Sequence, residues 1–167
     1  MPHLLLSLTV YLAAVAETSL LDLVRVGSVA PDLLALVAII WLLTAAGPRG
    51  FLTAGGVALV GDLIAPGRLG LGMAAMLLVG YAITRLRARL PIDHLAWQVL
   101  AVWLAVTVWA MSVAIAARLL GEVSLPWSTL AARTAGTGFF TAAVSLPVLM
   151  VHGWLHEKKG SGVFFPE

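Results

Sequence analysis

The sequence predicts an all-α integral membrane protein, a bundle of about six transmembrane helices. Three observations predict it. Hydrophobic residues make up 61% of the 167 and mean hydropathy is +1.03. Charged residues are only 11%, against about 25% in a typical soluble domain, too few to clothe a water-facing surface. The apolar residues also fall into successive long runs separated by Gly/Pro turns or charges, and those runs show no 3.6-residue alternation with polar residues.

Taken in order, the first run is Leu4 to about Ala16, followed by Glu17 and Asp22. Ala14-Val15-Ala16 fits a small-x-small cleavage site. Against a removed signal, Met1-Pro2-His3 lacks Lys or Arg and the apolar pattern resumes at Leu20, so a retained helix is the expectation. Leu33–Ala46, Phe51–Ala65 and Leu71–Thr84 follow as spans two to four, broken by Gly47-Pro48-Arg49-Gly50 and Pro66-Gly67-Arg68-Leu69-Gly70, where proline and glycine stop helices. A run of this length rises only about 22 Å, less than the roughly 30 Å hydrocarbon core. Borrowed flanks, local thinning of the bilayer and partial re-entry all remain open for these runs.

Arg85-Leu86-Arg87-Ala88-Arg89 marks a surface loop before the longest run, Leu95–Leu119. Trp97, Trp103 and Trp109 lie on it at a spacing that scatters them around the helix; Trp97 suits an interface and the other two the core or lipid. After a loop over Gly121–Ser128, the sixth span runs from about Thr129 to Trp154, with a kink expected at Pro147. The expected organisation is one transmembrane domain over 1–157 and a short flexible cytoplasmic tail over 158–167. No internal repeat is evident.

Alternate loops divide the basic residues. One side collects Arg49, Arg85, Arg87, Arg89, Lys158 and Lys159; the other collects Arg25, Arg68, Arg118 and Arg133. Three of the first group share one short loop, which places that side and both termini in the cytoplasm. The opposite, outer side holds Glu17, Asp22, Asp32, Asp62 and Glu122, so a layer of paired charges is expected near that membrane surface. Asp22, Arg25 and Glu122 read as solvated loop charges. Asp62 and Arg133 differ, since each lies within or at the edge of an apolar helix and needs a protein partner or water. A packing ion pair is expected, with Arg68 or Arg133 as the partner of Asp62.

Catalytic, cofactor and metal sites are not expected. There is no cysteine, no Gly-x-Ser-x-Gly, and no Lys-Ser/Thr pair after Gly67, Gly70 and Gly72, which read as turn and close-packing glycines. His152 and His156 have ligand spacing without a third ligand and read as interfacial. The scattered bases do not indicate nucleic-acid binding. Small-residue faces at Ala54/Ala58 and at Thr134/Gly138/Ala142 allow close helix approach, either inside the bundle or against a partner.

Several short motifs carry a resemblance. Pro31-Asp32-Leu33-Leu34 opening a span, Gly61-Asp62-Leu63-Ile64, Arg68-Leu69-Gly70-Leu71-Gly72, and Gly80-Tyr81 before the closing arginines together resemble MreD, a small membrane protein of the bacterial rod-shape machinery. The resemblance covers the middle third of the chain in motif detail and the rest by span count. It implies a non-catalytic scaffold in the elongation complex that builds lateral peptidoglycan in the inner membrane. The implied partners are MreC, RodA with its cognate transpeptidase, and indirectly MreB, besides membrane lipid. It also implies fold-determining roles for Pro31, Asp32, Asp62, Arg68, Gly70, Gly72, Gly80 and Tyr81, to which the position of Arg133 at an apolar helix adds a further structural candidate. MreD is similar in architecture to the substrate-binding subunits of energy-coupling-factor transporters, so small-molecule capture is the alternative. Those subunits dock through an Ala-x-x-x-Ala face in the first span, which Ala13, Ala14 and Ala16 do not form, since Glu17 and Thr18 stand where such alanines would be.

Overall fold

A computed structural model describes residues 2–24, 29–44, 48–64, 69–87 and 95–160, and all regular structure among them is helical. Six helices follow one another: α1 (Pro2–Val24), α2 (Leu33–Thr44), α3 (Pro48–Ile64), α4 (Leu71–Arg87), α5 (Leu95–Leu119) and α6 (Trp127–Gly160). The expected runs are recovered, with informative differences at their ends. α1 does not stop at Ala16 but continues through Glu17 to Val24. α3 begins at Pro48, inside the expected turn, because a proline fits the first helical turn, where its missing N–H would have no partner. α6 passes through Pro147 to Gly160, beyond the expected domain boundary at 157. Ala45, Ala46 and 161–167 lie outside the described residues.

α2 is the hub. The shortest of the six, it touches each of the other five. Ala38, Ile39 and Leu42 are almost wholly buried at its centre, with Leu34, Ala35, Leu36 and Leu43 around them. Around it α1 packs on α3, α3 on α4, α4 on α5 and α5 on α6. Ala13 of α1, Ala54 and Ala58 of α3, Met76 and Val79 of α4, and Val102 and Val106 of α5 close the core. The face of α1 turned inward is Val10, Ala13, Ala14 and then Glu17, one helical stripe that ends in a carboxylate.

The small-residue faces are consumed inside this bundle. Ala54 and Ala58 are buried in the core. A side chain on Gly138 would overlap Thr107 Oγ1, so α6 lies against α5 at this point, with Thr134 and Ala142 buried on the same face. These faces are not partner surfaces. Gly80 plays the same part on α4: a Cβ there would meet Leu42 and Phe51 at 3.3 Å.

The α5–α6 turn is fixed by its own chemistry. Gly121 has φ +77, Gly121 N–H donates to Arg118 C=O and Glu122 N–H to Ala117 C=O, both at 3.0 Å. This is the glycine-terminated helix end in which a left-handed residue returns two amides to the last turn. The Arg118 guanidinium donates to Leu125 C=O and lies over the Trp127 ring, 4.4 Å from its centroid.

Candidate functional site

The polar side chains converge where the starts of α2 and α4 meet the other four helices. A helix leaves its first N–H groups without intrahelical partners. Within a membrane protein these must be satisfied by protein, because lipid cannot do it. Here three carboxylates supply the need.

At the start of α2, buried Pro31 leads into Asp32, the cap residue. Asp32 Oδ1 accepts from Ala35 N–H at 2.7 Å and Asp32 C=O from Leu36 N–H at 3.0 Å. Glu17 Oε2, arriving from α1, accepts from Leu34 N–H at 3.1 Å. The Asp32 N–H donates to Thr141 Oγ1 of α6 at 3.0 Å, and Thr141 is fully buried. Three helices are thereby joined at one helix start.

The start of α4 repeats the device with a different donor. Gly70 occupies the cap position, with its C=O accepting from Ala74 N–H at 2.9 Å, but it has no side chain to serve the amides ahead. Asp62 of α3 does so instead. Its Oδ2 accepts from Gly70 N–H at 2.9 Å and Met73 N–H at 3.0 Å, and its Oδ1 from Gly72 N–H at 3.0 Å. Gly70 needs to be glycine because its φ is +97. Gly72 needs to be glycine because a Cβ would overlap the Asp62 carboxylate. The Gly72 C=O accepts from Trp109 Nε1–H of α5 at 3.0 Å. Between the two helix starts lies a cavity of about 120 Å³ lined by Glu17, Asp32, Asp62, Gly72, Met76, Trp109 and Val113 among others.

These contacts correct one expectation. Arg133 is not the partner of Asp62: α6, which carries it exposed, does not touch α3 among the described residues, and the described partners of Asp62 are backbone amides. Arg68, the other expected partner, lies outside the described residues. Trp109 stands near the middle of α5, and Thr141 lies well inside α6, so Glu17, Asp32 and Asp62 gather level with the centre of the two long helices and not at their ends. Tyr81 is on the surface, where Arg85 Nε donates to its hydroxyl at 3.1 Å. The side chains of Asp22, His152 and His156, and residue Arg25, lie outside the described set. Among the described residues no group of His, Cys, Asp or Glu has metal-holding geometry. A larger groove of about 690 Å³ between α5 and α6 is lined by Leu95, Val99, Leu100, Trp103, Phe139 and Leu146 with other apolar residues, and carries no comparable polar constellation.

Glu17, Thr141 and Trp109 are the members of the junction that sequence reasoning did not select. Asp32 directly before an apolar run carries a helix-start signal. Glu17 and Thr141 carry none, since their roles depend on which helices become neighbours.

Fold and site together define a helical membrane protein whose described internal polar groups tie helices to one another. Among the described residues two helices, α5 and α6, are long and apolar enough to cross a bilayer. The family model for the rod shape-determining protein MreD matches residues 1–152, and the chain belongs to the MreD family. That membership gives it a membrane location and a place in the rod-shape-determining system, in a family of structural, shape-determining proteins. Comparison with curated proteins and with solved structures gives no match.

Proposed function

We propose that this chain is a non-catalytic scaffold subunit of the elongation complex, holding lateral peptidoglycan synthesis together through contacts within the inner membrane. The observation that carries the reading is the family match across residues 1–152. The junction supports it: Glu17, Asp32 and Asp62 are engaged in joining helices, and each of the six helices contributes to the joint or packs on the hub. A rigid body of this kind suits a subunit that presents surfaces to other membrane proteins. The partners in this reading are MreC, RodA with its cognate transpeptidase, and indirectly MreB. The chain traverses the membrane six times by way of these helices, the short ones covering less than the full bilayer thickness, and both termini lie in the cytoplasm. Partner contacts must then use the outward faces of the helices, since Ala54, Ala58, Gly138 and Ala142 are already buried. The small-molecule-capture alternative has no support in the family match.

Depletion from a rod-shaped host tests the role. Cells should widen or round up, and the wild-type chain should restore rods. Cells that stay rod-shaped through depletion would contradict the reading.

A further inference from the structure

The two sides of the bundle differ in apolar height. On α5, exposed Trp97 stands near one end and Arg118, lying over Trp127, near the other. The rise between Trp97 and Arg118 is about 32 Å, matching a hydrocarbon core of roughly 30 Å. Tryptophan and arginine are interfacial residues, so both ends of this height are marked. On α4 the apolar stretch runs from Gly72 to Arg85, which holds the surface Tyr81, and it rises only about 20 Å. On α3 the stretch from Gly50 to Ile64 rises about 21 Å.

The shortfall is one-sided, because hydrogen bonds fix the register. The Trp109–Gly72 bond sets the start of α4 level with Trp109, and α5 rises about 14 Å more from Trp109 to Arg118. The Thr141–Asp32 bond sets the start of α2 level with Thr141, about 21 Å along α6 from Trp127. The ends of α2 and α4 away from the chain termini are therefore recessed to near the mid-height of α5 and α6. The α3–α4 face nevertheless exposes Leu52, Leu59 and Leu78 below that level. That is a lipid-facing surface, so it cannot be covered by water alone.

We infer that the α3–α4 face binds a locally thinned bilayer, in which the leaflet opposite the termini sinks to the level of the Asp62 clasp. A short apolar belt beside a long one in the same rigid body leaves lipid to adjust, since the clasp at Gly70, Gly72 and Met73 prevents α4 from extending. Headgroups and water then reach Leu63 and Leu69. At the same time hydrocarbon still covers exposed Ala135 on α6, a helix that touches neither α3 nor α4 among the described residues; it lies about 9 Å beyond Thr141 toward Trp127. The inference rests on α5 and α6 crossing the bilayer and not on the scaffold role.

The chain has no cysteine, so single substitutions report one thiol each. Leu63→Cys and Ala135→Cys, both at exposed positions, would be placed in nanodiscs of dioleoyl phosphatidylcholine, where both faces meet water. Each would be treated with a charged, membrane-impermeant methanethiosulfonate, with labelling in denaturant giving the total. Leu63→Cys should react at least about tenfold faster than Ala135→Cys, because hydrocarbon excludes both the reagent and the thiolate. Leu69→Cys against Phe139→Cys repeats the comparison at a second exposed pair and should give the same order. Slow labelling at Leu63 and Leu69 would overturn the inference by showing full-thickness hydrocarbon there. Fast labelling at Ala135 would also overturn it, by showing that the α5–α6 hairpin stands in water.

Discussion

Replacing Gly72 by alanine should destabilise the protein only while Asp62 is present. In the native protein a Cβ at position 72 overlaps Asp62 Oδ1, so α3 or α4 must move. Such overpacking costs about 1–3 kcal/mol. Moving the carboxylate also weakens its bonds to Gly70, Gly72 and Met73. Asp62→Ala removes the acceptor itself. It leaves three amides to find water or stay unpaired, at about 1–3 kcal/mol for each one that stays buried. In that variant the overlap is gone, and Gly→Ala in a helix is worth up to about 1 kcal/mol in stability. The double mutant should therefore be no less stable than Asp62→Ala, giving a coupling of roughly 2–3 kcal/mol between adjacent sites. Unfolding midpoints in mild detergent for wild type, both single variants and the double variant complete the cycle. Additive effects, within about 0.5 kcal/mol, would show that the clasp does not exist as described.

Thr141→Val should cost about 1–2 kcal/mol by depriving the Asp32 amide of its acceptor at a fully buried site, read as a lowered melting midpoint, while Thr141→Ser should retain most of the stability. Trp109→Phe keeps the ring but loses the bond to Gly72 C=O, with an expected loss of about 0.5–1.5 kcal/mol by the same assay. Gly70→Ala should lower the midpoint by the equivalent of about 1–2 kcal/mol, since φ of +97 strains any residue with a Cβ. For orientation, a single cysteine at Ser124 should react with an impermeant thiol reagent in whole cells, whereas cysteines at Ala88 and Ser161 should not; reaction at Ala88 would reverse the topology.

The helices were legible because membrane helices announce themselves by apolar length, and Leu95–Leu119 was recovered to the residue. Their ends were less so. α1 runs through Glu17 because that carboxylate faces a neighbouring helix start and not water, which no local pattern reveals. Asp62 stood out as an acid in an apolar run, and glycines 70 and 72 as turn residues. Arg133 was nonetheless the wrong partner to expect. Opposite charge is the obvious complement for a carboxylate, but in a short-helix bundle the nearer complement is the cluster of unpaired amides at a helix start. The depth of the junction was hidden for a related reason. Counting charges by loop assigns them to a surface, whereas the recess of α2 and α4 follows from hydrogen bonds to Thr141 and Trp109, far away in sequence.

The central claim is that this member of the MreD family acts by binding other membrane proteins of the shape machinery. The most direct measurement is a mild-detergent pulldown of the tagged full chain from its rod-shaped host, identified by mass spectrometry. MreC should copurify as a principal partner, and its yield should fall with Asp62→Ala in step with the loss of folded protein. Recovery of an ATPase module with its transmembrane coupling subunit, and no MreC, would contradict the account.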